Sequence, residues 1–131
     1  MSRFFTIMII LTTAIFADSS DWIKHDFNLA LQKSKKEHKP IFLMYSSKTC
    51  PECNYMKQVV FPQKKVISYL KSNFVLAMLD IKKDKLPKEY KFIGIPTFFV
   101  IDENGKKLGT LVGGMSADRF LASFKGGKSE K

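Results

Sequence analysis

The chain's only two cysteines are Cys50 and Cys53, which are separated by Pro51 and Glu52. A disulfide between them closes so short a loop that the chain-entropy formula gives it only about 2 kcal/mol of stabilisation. Two sulfurs at this spacing suit a different task, in which one thiolate attacks a disulfide and the other displaces the captured sulfur. The pair therefore favours thiol–disulfide exchange over a structural staple.

The elements around the cysteines place them between a strand and a helix. The continuous apolar run at 41–45 predicts a strand that is buried on both faces. The stretch from Cys50 to about Tyr69 predicts a helix with a bend at Pro62. Cys50 then lies at a helix N-terminus, where unpaired amides and the helix dipole stabilise a thiolate. Since Cys53 lies one turn further in and better covered, we predict that Cys50 is the nucleophile and Cys53 the resolving thiol.

The rest of the pattern predicts one α/β domain, because 131 residues allow one hydrophobic core. The element order is α-β-α-β-α-β-β-α, with a helical crossover between the second and third strands. This order implies parallel pairing first, and helices on both faces of a mixed sheet of about four strands. The other predicted elements are an N-terminal helix at 21–38, strands at 74–80, 96–101 and 107–112, an Asn104-Gly105 hairpin and a last helix from Ser116.

The first residues have the layout of a secretory signal. Arg3 precedes a 13-residue largely apolar run, and the small residue Ala17 precedes a polar segment. The run is shorter than the roughly 20 residues that span a bilayer. We therefore expect residues 1–17 to be a signal peptide, 18–125 the domain and 126–131 a flexible tail. The protein would be periplasmic, with an uncleaved membrane anchor as the alternative.

The formal net charge of +10 comes almost entirely from lysines that are scattered along the chain. Nucleic-acid binding usually uses arginine forks and aromatic rings on one strip, and Arg119 is the one arginine left after signal cleavage. We therefore predict no nucleic-acid partner and solvated lysine faces. Attraction to an acidic partner or to an anionic membrane surface stays open.

No cofactor or metal is predicted. The chain has no glycine-rich phosphate loop and no dinucleotide fingerprint. Two thiolates are half a tetrahedral zinc site, but His25 and His38 lie far upstream of the cysteines. Met44 and Met56 are potential copper(I) ligands, although methionines at such positions are more often core residues.

On these motifs the chain resembles the thioredoxin superfamily, from Trp22 to about Phe124. A CxxC pair followed about forty residues later by Gly-Ile-Pro-Thr and an Asn-Gly hairpin is a specific combination. The chain also looks like the C-terminal thioredoxin-like domain of the transmembrane disulfide reductase DsbD. The matching segments are 39–43, Cys50–Met56, Val60-Phe61, Val66, 74–80, 92–97, Asn104-Gly105 and Gly113.

The resemblance implies a thioredoxin fold in which Pro96 is a cis proline facing the cysteines. The backbone of Ile95 would pair with a bound substrate strand, and Pro96 would leave no amide to compete beside the sulfurs. From the residue pattern alone, Pro96 would instead begin an edge strand.

The chain departs from thioredoxin at the proton relay of the resolving thiol. Thioredoxin carries a buried Asp six residues before its first cysteine, where this chain has Met44, and its partner Lys is replaced by Met78 or a neighbour. Deprotonation of Cys53 would then rely on water, on Glu52 or on a group of the partner protein.

Two charged neighbours are candidates for tuning the nucleophile. We expect Glu52 to point to solvent, as charged side chains in such turns usually do; if it lies close to Cys50 instead, it would disfavour the thiolate and make the pair more reducing. Lys48 and the helix dipole would favour that thiolate.

These observations predict a periplasmic thiol–disulfide oxidoreductase that acts on exported protein disulfides or thiols. We expect a monomeric reductase or electron relay that is kept reduced by a membrane thiol donor of the DsbD type. Oxidases of the DsbA type carry a large helical insertion, and the segment between Asp80 and Ile93 has no room for one. The alternatives are an oxidase or isomerase, and a redox-inactive peptide-binding module with a fixed disulfide.

Overall fold

A computed structural model describes residues 21–125, which form a five-stranded mixed sheet with helices on both faces. The predicted signal peptide at 1–17, the start of the domain at 18 and the tail at 126–131 lie outside these residues. The elements are β1 (Ile23–Lys24), α1 (Phe27–Glu37), β2 (Ile41–Ser46), α2 (Pro51–Tyr55), a π-helical turn (Met56–Val60), α3 (Lys64–Asn73), β3 (Val75–Asp80), β4 (Thr97–Ile101), β5 (Lys107–Val112) and α4 (Ala117–Lys125).

The sheet has the strand order β1-β3-β2-β4-β5, with β2 at its centre. β2 runs parallel to β3, with Ser46 opposite Asp80, and antiparallel to β4, with Tyr45 opposite Thr97. The end of β2, the end of β3 and the start of β4 therefore meet at one edge of the sheet. The predicted fold class is confirmed, and this edge carries the cysteines.

The sheet has one strand more than predicted, because the first helix is shorter than its apolar pattern indicated. Residues 23–24 form β1, which pairs with Ala77 and Met78 of β3. His25 has a positive φ of 70°, so the helix cannot run through it. α1 starts only after Asp26, whose carboxylate accepts a hydrogen bond from the amide of Leu29 at 3.2 Å.

The side chains on the two faces of β2 pack into two separate apolar cores. All six residues of this strand are buried, which confirms the prediction of a strand covered on both sides. Phe42 and Met44 join the apolar cluster that contains both cysteines. Ile41, Leu43 and Tyr45 join the cluster on the other face. The strand that leads to the active-site loop is therefore held rigidly from both sides.

The helical stretch after the cysteines is interrupted, as the bend at Pro62 predicted. α2 passes directly into the π-helical turn, which ends at Val60, and α3 begins at Lys64. Pro62 has no amide with which to continue the helix. The break lets α3 pack Val66, Ile67 and Leu70 against the sheet.

The predicted helical crossover between the second and third strands is wrong. In the structure the chain passes from Asp80 to Thr97 through turns and irregular backbone. The reason is that Pro87, Gly94 and Pro96 disfavour a helix, and that β4 runs antiparallel to β2, so no parallel crossover is needed. The buried Tyr90 anchors the segment by donating a hydrogen bond to the carbonyl of Gly105.

The last two elements follow the sequence prediction. The turn at Asn104-Gly105 joins β4 to β5, with Gly105 at a φ of 85°. The carboxylate of Asp102 accepts hydrogen bonds from the amides of Asn104 and Lys106, both at 2.9 Å. α4 begins after Ser116, whose hydroxyl accepts from the amide of Arg119 at 3.3 Å.

Candidate active site

Cys50 and Cys53 are joined by a disulfide at the N-terminus of α2. β2 ends at Ser46, and a short turn brings the chain to the cysteines. In that turn the hydroxyl of Ser47 accepts a hydrogen bond from the amide of Thr49 at 3.3 Å, and the amide of Cys50 donates to the carbonyl of Ser47, also at 3.3 Å. Both serines are buried. The loop before Cys50 is therefore fixed by its own hydrogen bonds.

The sulfur of Cys50 closes the first turn of α2. The amide of Cys53 donates to the Sγ of Cys50 at 3.1 Å, and the amide of Asn54 donates to the Cys50 carbonyl at 3.0 Å. Pro51 occupies the first helical position, where the missing amide costs no helical hydrogen bond. An N–H group and a helix N-terminus directed at the same sulfur favour its thiolate once the disulfide is reduced.

The two cysteines differ in accessibility. Cys50 keeps 8% of its surface exposed, whereas Cys53 is fully buried. Both belong to the apolar cluster that includes Met44 and Met56. An incoming disulfide can therefore approach Cys50, whereas Cys53 can reach a captured sulfur only from inside.

The Ile95–Pro96 segment lies at the same edge of the sheet as Cys50, because β4 begins where β2 ends. The peptide bond between these residues is cis. Pro96 is buried, and Ile95 is half-buried against the cluster that holds the cysteines. Two hydrogen bonds fix the segment: Thr97 Oγ1 donates to the carbonyl of Gly94 at 2.6 Å, and the amide of Gly113 donates to the carbonyl of Pro96 at 2.9 Å.

The side chain of Glu52 is exposed but turned toward the loop before α4. Its Oε2 accepts a hydrogen bond from the amide of Gly114 at 3.5 Å. A Cβ added at Gly114 would lie 3.3 Å from the Cβ of Glu52, so the two backbones approach closely here. A shallow groove of about 370 Å³ runs between them, with Tyr55 and Met115 in its walls.

Lys48 lies in the turn that precedes Cys50, next to Lys83. The close approach of the Lys83 ammonium group lowers the pKa of Lys48. Its carbonyl accepts a hydrogen bond from the side-chain amide of Asn54 at 3.1 Å. Thr49, the next residue, accepts a hydrogen bond at Oγ1 from the Nζ of Lys82 at 2.9 Å.

The resemblance places Met44, and Met78 or a neighbour, at the positions of the proton relay of thioredoxin. Met44 and Met78 are register partners on β2 and β3, and Met44 is fully buried. Lys57 is half-buried, and burial lowers its pKa while the charge of Asp80 acts in the opposite direction. Proton transfer to and from Cys53 therefore has no buried carboxylate at the position where thioredoxin carries its Asp.

Sequence reasoning did not single out Lys57, Lys82, Lys83 or Gly114. Lys57 could have been found from its spacing, because it lies four residues after Cys53 and residues at this spacing share a helix face. The parallel pairing of β2 and β3 was the signal for Lys82 and Lys83, since it brings the two strand ends together. Nothing local in the sequence indicates that Gly114 meets Glu52.

Within residues 21–125, no group of three or more His, Cys, Asp or Glu side chains is placed to hold a metal ion. In the same part of the chain, no helix combines the length and apolar composition that a membrane crossing needs.

Comparison with known proteins agrees with this geometry. The family model of the thioredoxin-like domain matches residues 27–128. The thiol:disulfide interchange protein DsbD of Campylobacter jejuni is 28% identical over 112 residues, which cover 82% of this chain and 19% of that protein. The chain thus spans about a fifth of the length of this curated relative.

Two solved structures have a similar fold. The C-terminal domain of Neisseria meningitidis DsbD in its reduced form has a TM-score of 0.67 at 25% identity, with 81% of this chain and 100% of that domain covered. A thioredoxin from Thermus thermophilus has a TM-score of 0.67 at 22% identity, with 81% and 86% covered.

Proposed function

Since the chain belongs to the thioredoxin-like domain family and is a thiol–disulfide oxidoreductase, we propose that it is a periplasmic reductase or electron relay for exported protein disulfides. The observation that carries the proposal is the asymmetry of the cysteine pair. Cys50 keeps 8% of its surface exposed, caps a helix and accepts an amide hydrogen bond at its sulfur, whereas Cys53 is fully buried one turn away.

The reaction begins with the reduced protein. The Cys50 thiolate attacks one sulfur of a substrate disulfide, which forms a mixed disulfide and releases the other substrate sulfur as a thiolate. Cys53 loses its proton and attacks the Sγ of Cys50, which releases the second substrate thiolate and forms the Cys50–Cys53 disulfide. Two electrons pass from the dithiol to the substrate, and the released thiolates take up protons from water.

The disulfide form is reduced again by the reverse exchange with a dithiol of a donor protein. We assign this role to a membrane thiol donor of the DsbD type. The similarity to the DsbD C-terminal domain supports this assignment, because DsbD is described as a thiol:disulfide interchange protein. The irregular connection between Asp80 and Thr97 also supports a reductase, since oxidases of the DsbA type carry a helical insertion.

Each remaining site residue has a proposed role. Ile95 and Pro96 bind the substrate strand beside Cys50, and the backbone of Ile95 supplies the pairing groups. Pro51 begins α2 at a position where its missing amide costs no helical hydrogen bond. Glu52 and Lys48 adjust the stability of the Cys50 thiolate in opposite directions. The protein works as a monomer.

A measurement of the reduction potential tests the direction of electron flow. Equilibration with glutathione should give a value close to that of thioredoxin, about −270 mV. A value near that of DsbA, about −120 mV, would overturn the reductase assignment and favour an oxidase or isomerase.

Trapping tests the division of labour between the cysteines. The Cys53→Ser variant should accumulate mixed disulfides through Cys50, because no resolving thiol is left to release them. Mass spectrometry after non-reducing electrophoresis identifies the linked peptides. If neither this variant nor the wild type exchanges with any disulfide, the chain is a binding module with a fixed disulfide.

Fractionation of cells tests the location. Export predicts a mature protein in the periplasmic fraction with an N-terminus at Asp18. A protein that stays in the membrane fraction with an intact N-terminus would support the anchor instead.

A further inference from the structure

Four lysines gather at the edge of the sheet that carries the cysteines. β2 and β3 run parallel and end together, with Ser46 opposite Asp80 and the amide of Ile81 donating to the carbonyl of Ser46 at 3.0 Å. The residues that follow the two strands are therefore neighbours. We name the group formed by Lys48, Lys57, Lys82 and Lys83 the lysine rim.

The rim is in direct contact with the active-site loop. The Nζ of Lys82 donates to the Oγ1 of Thr49, the residue before Cys50, at 2.9 Å. The ammonium groups of Lys48 and Lys83 lie close enough for their repulsion to lower the pKa of Lys48. Like charges therefore lie together beside the active-site loop, and a carboxylate from a partner would be attracted to them.

Two carboxylates, those of Asp80 and Asp84, lie near the four ammonium groups of the rim, so an excess of positive charge remains. Asp80 faces Lys48 and Lys57, and its carboxylate also accepts the backbone amide of Lys82 at 2.8 Å. Asp84 contacts His25 at 2.7 Å and the amide of Asp80, also at 2.7 Å.

Glu52 lies on the other flank of the cysteines, next to Gly114. None of the ion pairs formed within residues 21–125 involves a rim lysine. The excess positive charge therefore lies on one side of Cys50.

We propose that the lysine rim binds carboxylates that flank the exchanging cysteine of a protein partner, so that this enzyme prefers disulfides in acidic segments. This inference rests on the proposed function, because a partner must cross the rim while its sulfur is bonded to Cys50. Clustered charge of one sign next to a reacting group raises the association rate of oppositely charged partners by tenfold or more at low ionic strength.

The geometry favours a protein segment over a membrane surface. An anionic bilayer would attract lysines on any broad face, including those at 33–36 on α1. The rim instead contacts the active-site loop, through Lys82 and Thr49, where a molecule that delivers a sulfur has to bind.

The test uses the full chain, reduced with dithiothreitol and then separated from it, and two disulfide peptides that differ only in their flanks. One peptide carries Glu on both sides of its disulfide and the other carries Gln. In low salt the wild type should reduce the Glu peptide about tenfold faster, and the preference should disappear in 1 M salt, where the Debye length is about 3 Å. Equal rates for both peptides in low salt would overturn the inference.

Lysine variants test whether the preference for the Glu peptide comes from the rim. In the Lys82→Gln/Lys83→Gln protein the preference for the Glu peptide should fall below about threefold, since half of the rim charge is gone. The matched control is Lys35→Gln/Lys36→Gln in the last turn of α1, which should keep the full preference. A control that loses as much preference as the rim variant would assign the effect to net charge and overturn the inference.

Two further experiments distinguish a failure of the proposed function from a failure of the rim inference. Reduction of hydroxyethyl disulfide, which is small and uncharged, reports the Cys50 chemistry alone: no reaction would contradict the proposed function, whereas normal reaction without peptide preference contradicts only the rim. Sedimentation with phosphatidylglycerol vesicles tests the membrane. Binding that depends on Lys82 and Lys83, together with equal peptide rates, would identify the rim as a membrane contact and overturn the inference.

Discussion

The first turns of α1 and α2 are closed in the same way by different atoms. Asp26 caps α1 from an extended backbone with φ −143° and ψ 101°, and its carboxylate accepts from the amide three residues on at 3.2 Å. Cys50 caps α2 with φ −93° and ψ 110°, and its sulfur accepts from the amide three residues on at 3.1 Å. A carboxylate oxygen and a sulfur therefore occupy the same N-cap position and accept the same hydrogen bond in the two helices.

The difference lies in what the capping atom can do next. A carboxylate at this position stabilises the helix and forms no covalent bond. A sulfur receives the same electrostatic support, but it can also exchange bonds with the buried Cys53 or with an incoming disulfide. A helix-capping residue can therefore also act as a nucleophile when it is an ionisable thiol that a substrate can approach and has a second thiol one turn away.

The largest effect should come from separating the two roles of Cys50. The Cys50→Ser variant should lose all insulin reduction, because a hydroxyl does not exchange with disulfides, while its oxygen still caps α2. The Cys50→Ala variant should be equally inactive and also about 1 kcal/mol less stable to urea than Cys50→Ser. Insulin reduction that survives in either variant would show that Cys50 is not the nucleophile.

The complementary change at α1 should affect stability alone. Asp26→Ala removes the carboxylate cap and should lower the free energy of unfolding by about 1 kcal/mol, with an unchanged rate of insulin reduction. Urea unfolding and the insulin assay measure the two quantities. Asp26→Asn, which keeps a capping oxygen, should restore most of the stability. A rate loss in Asp26→Ala that exceeds its loss of folded protein would contradict the comparison.

A smaller change should sharpen the electrostatic side of the comparison. Glu52 places a carboxylate in the first turn of α2, where it competes with the Cys50 thiolate for the helix N-terminus. Glu52→Gln should therefore increase the rate of iodoacetamide alkylation of reduced Cys50 about twofold. The control is Glu103→Gln, in the β4–β5 hairpin, which should leave the rate unchanged. A slower reaction in Glu52→Gln would reverse the assigned sign.

The smallest effect concerns the first turn of α4. The hydrogen bond and charge of Lys65 lower the pKa of Asp118. A carboxyl with a lowered pKa in the folded state stabilises the fold above its ordinary value of about 4, and this contribution disappears as the pH falls through the lowered value. Wild type and Asp118→Asn should therefore differ slightly in urea midpoint at pH 7 and coincide at pH 2. A difference that grows toward pH 2 would contradict this sign.

Much of the fold could be predicted because its signals are local. The apolar run of β2, the break at Pro62 and the hairpin at Asn104-Gly105 each depend on a few consecutive residues, and all three are confirmed. The resemblance to the thioredoxin superfamily is confirmed by the family match. The two-residue strand β1 was missed because it exists only through pairing with β3, and its own sequence reads as the start of a helix.

In the functional site, too, some features follow from local sequence and others only from tertiary packing. The sequence by itself determined which atoms can exchange electrons, since it contains two cysteines one helical turn apart after a buried strand. Only the tertiary structure decided which charges surround them. Lys82 and Lys83 are about thirty residues away along the chain, and they lie beside Thr49 and Lys48 in the active-site loop because β2 and β3 are parallel and end at one edge. Glu52 meets Gly114 for a similar reason: such contacts depend on how distant segments pack, which no local pattern encodes.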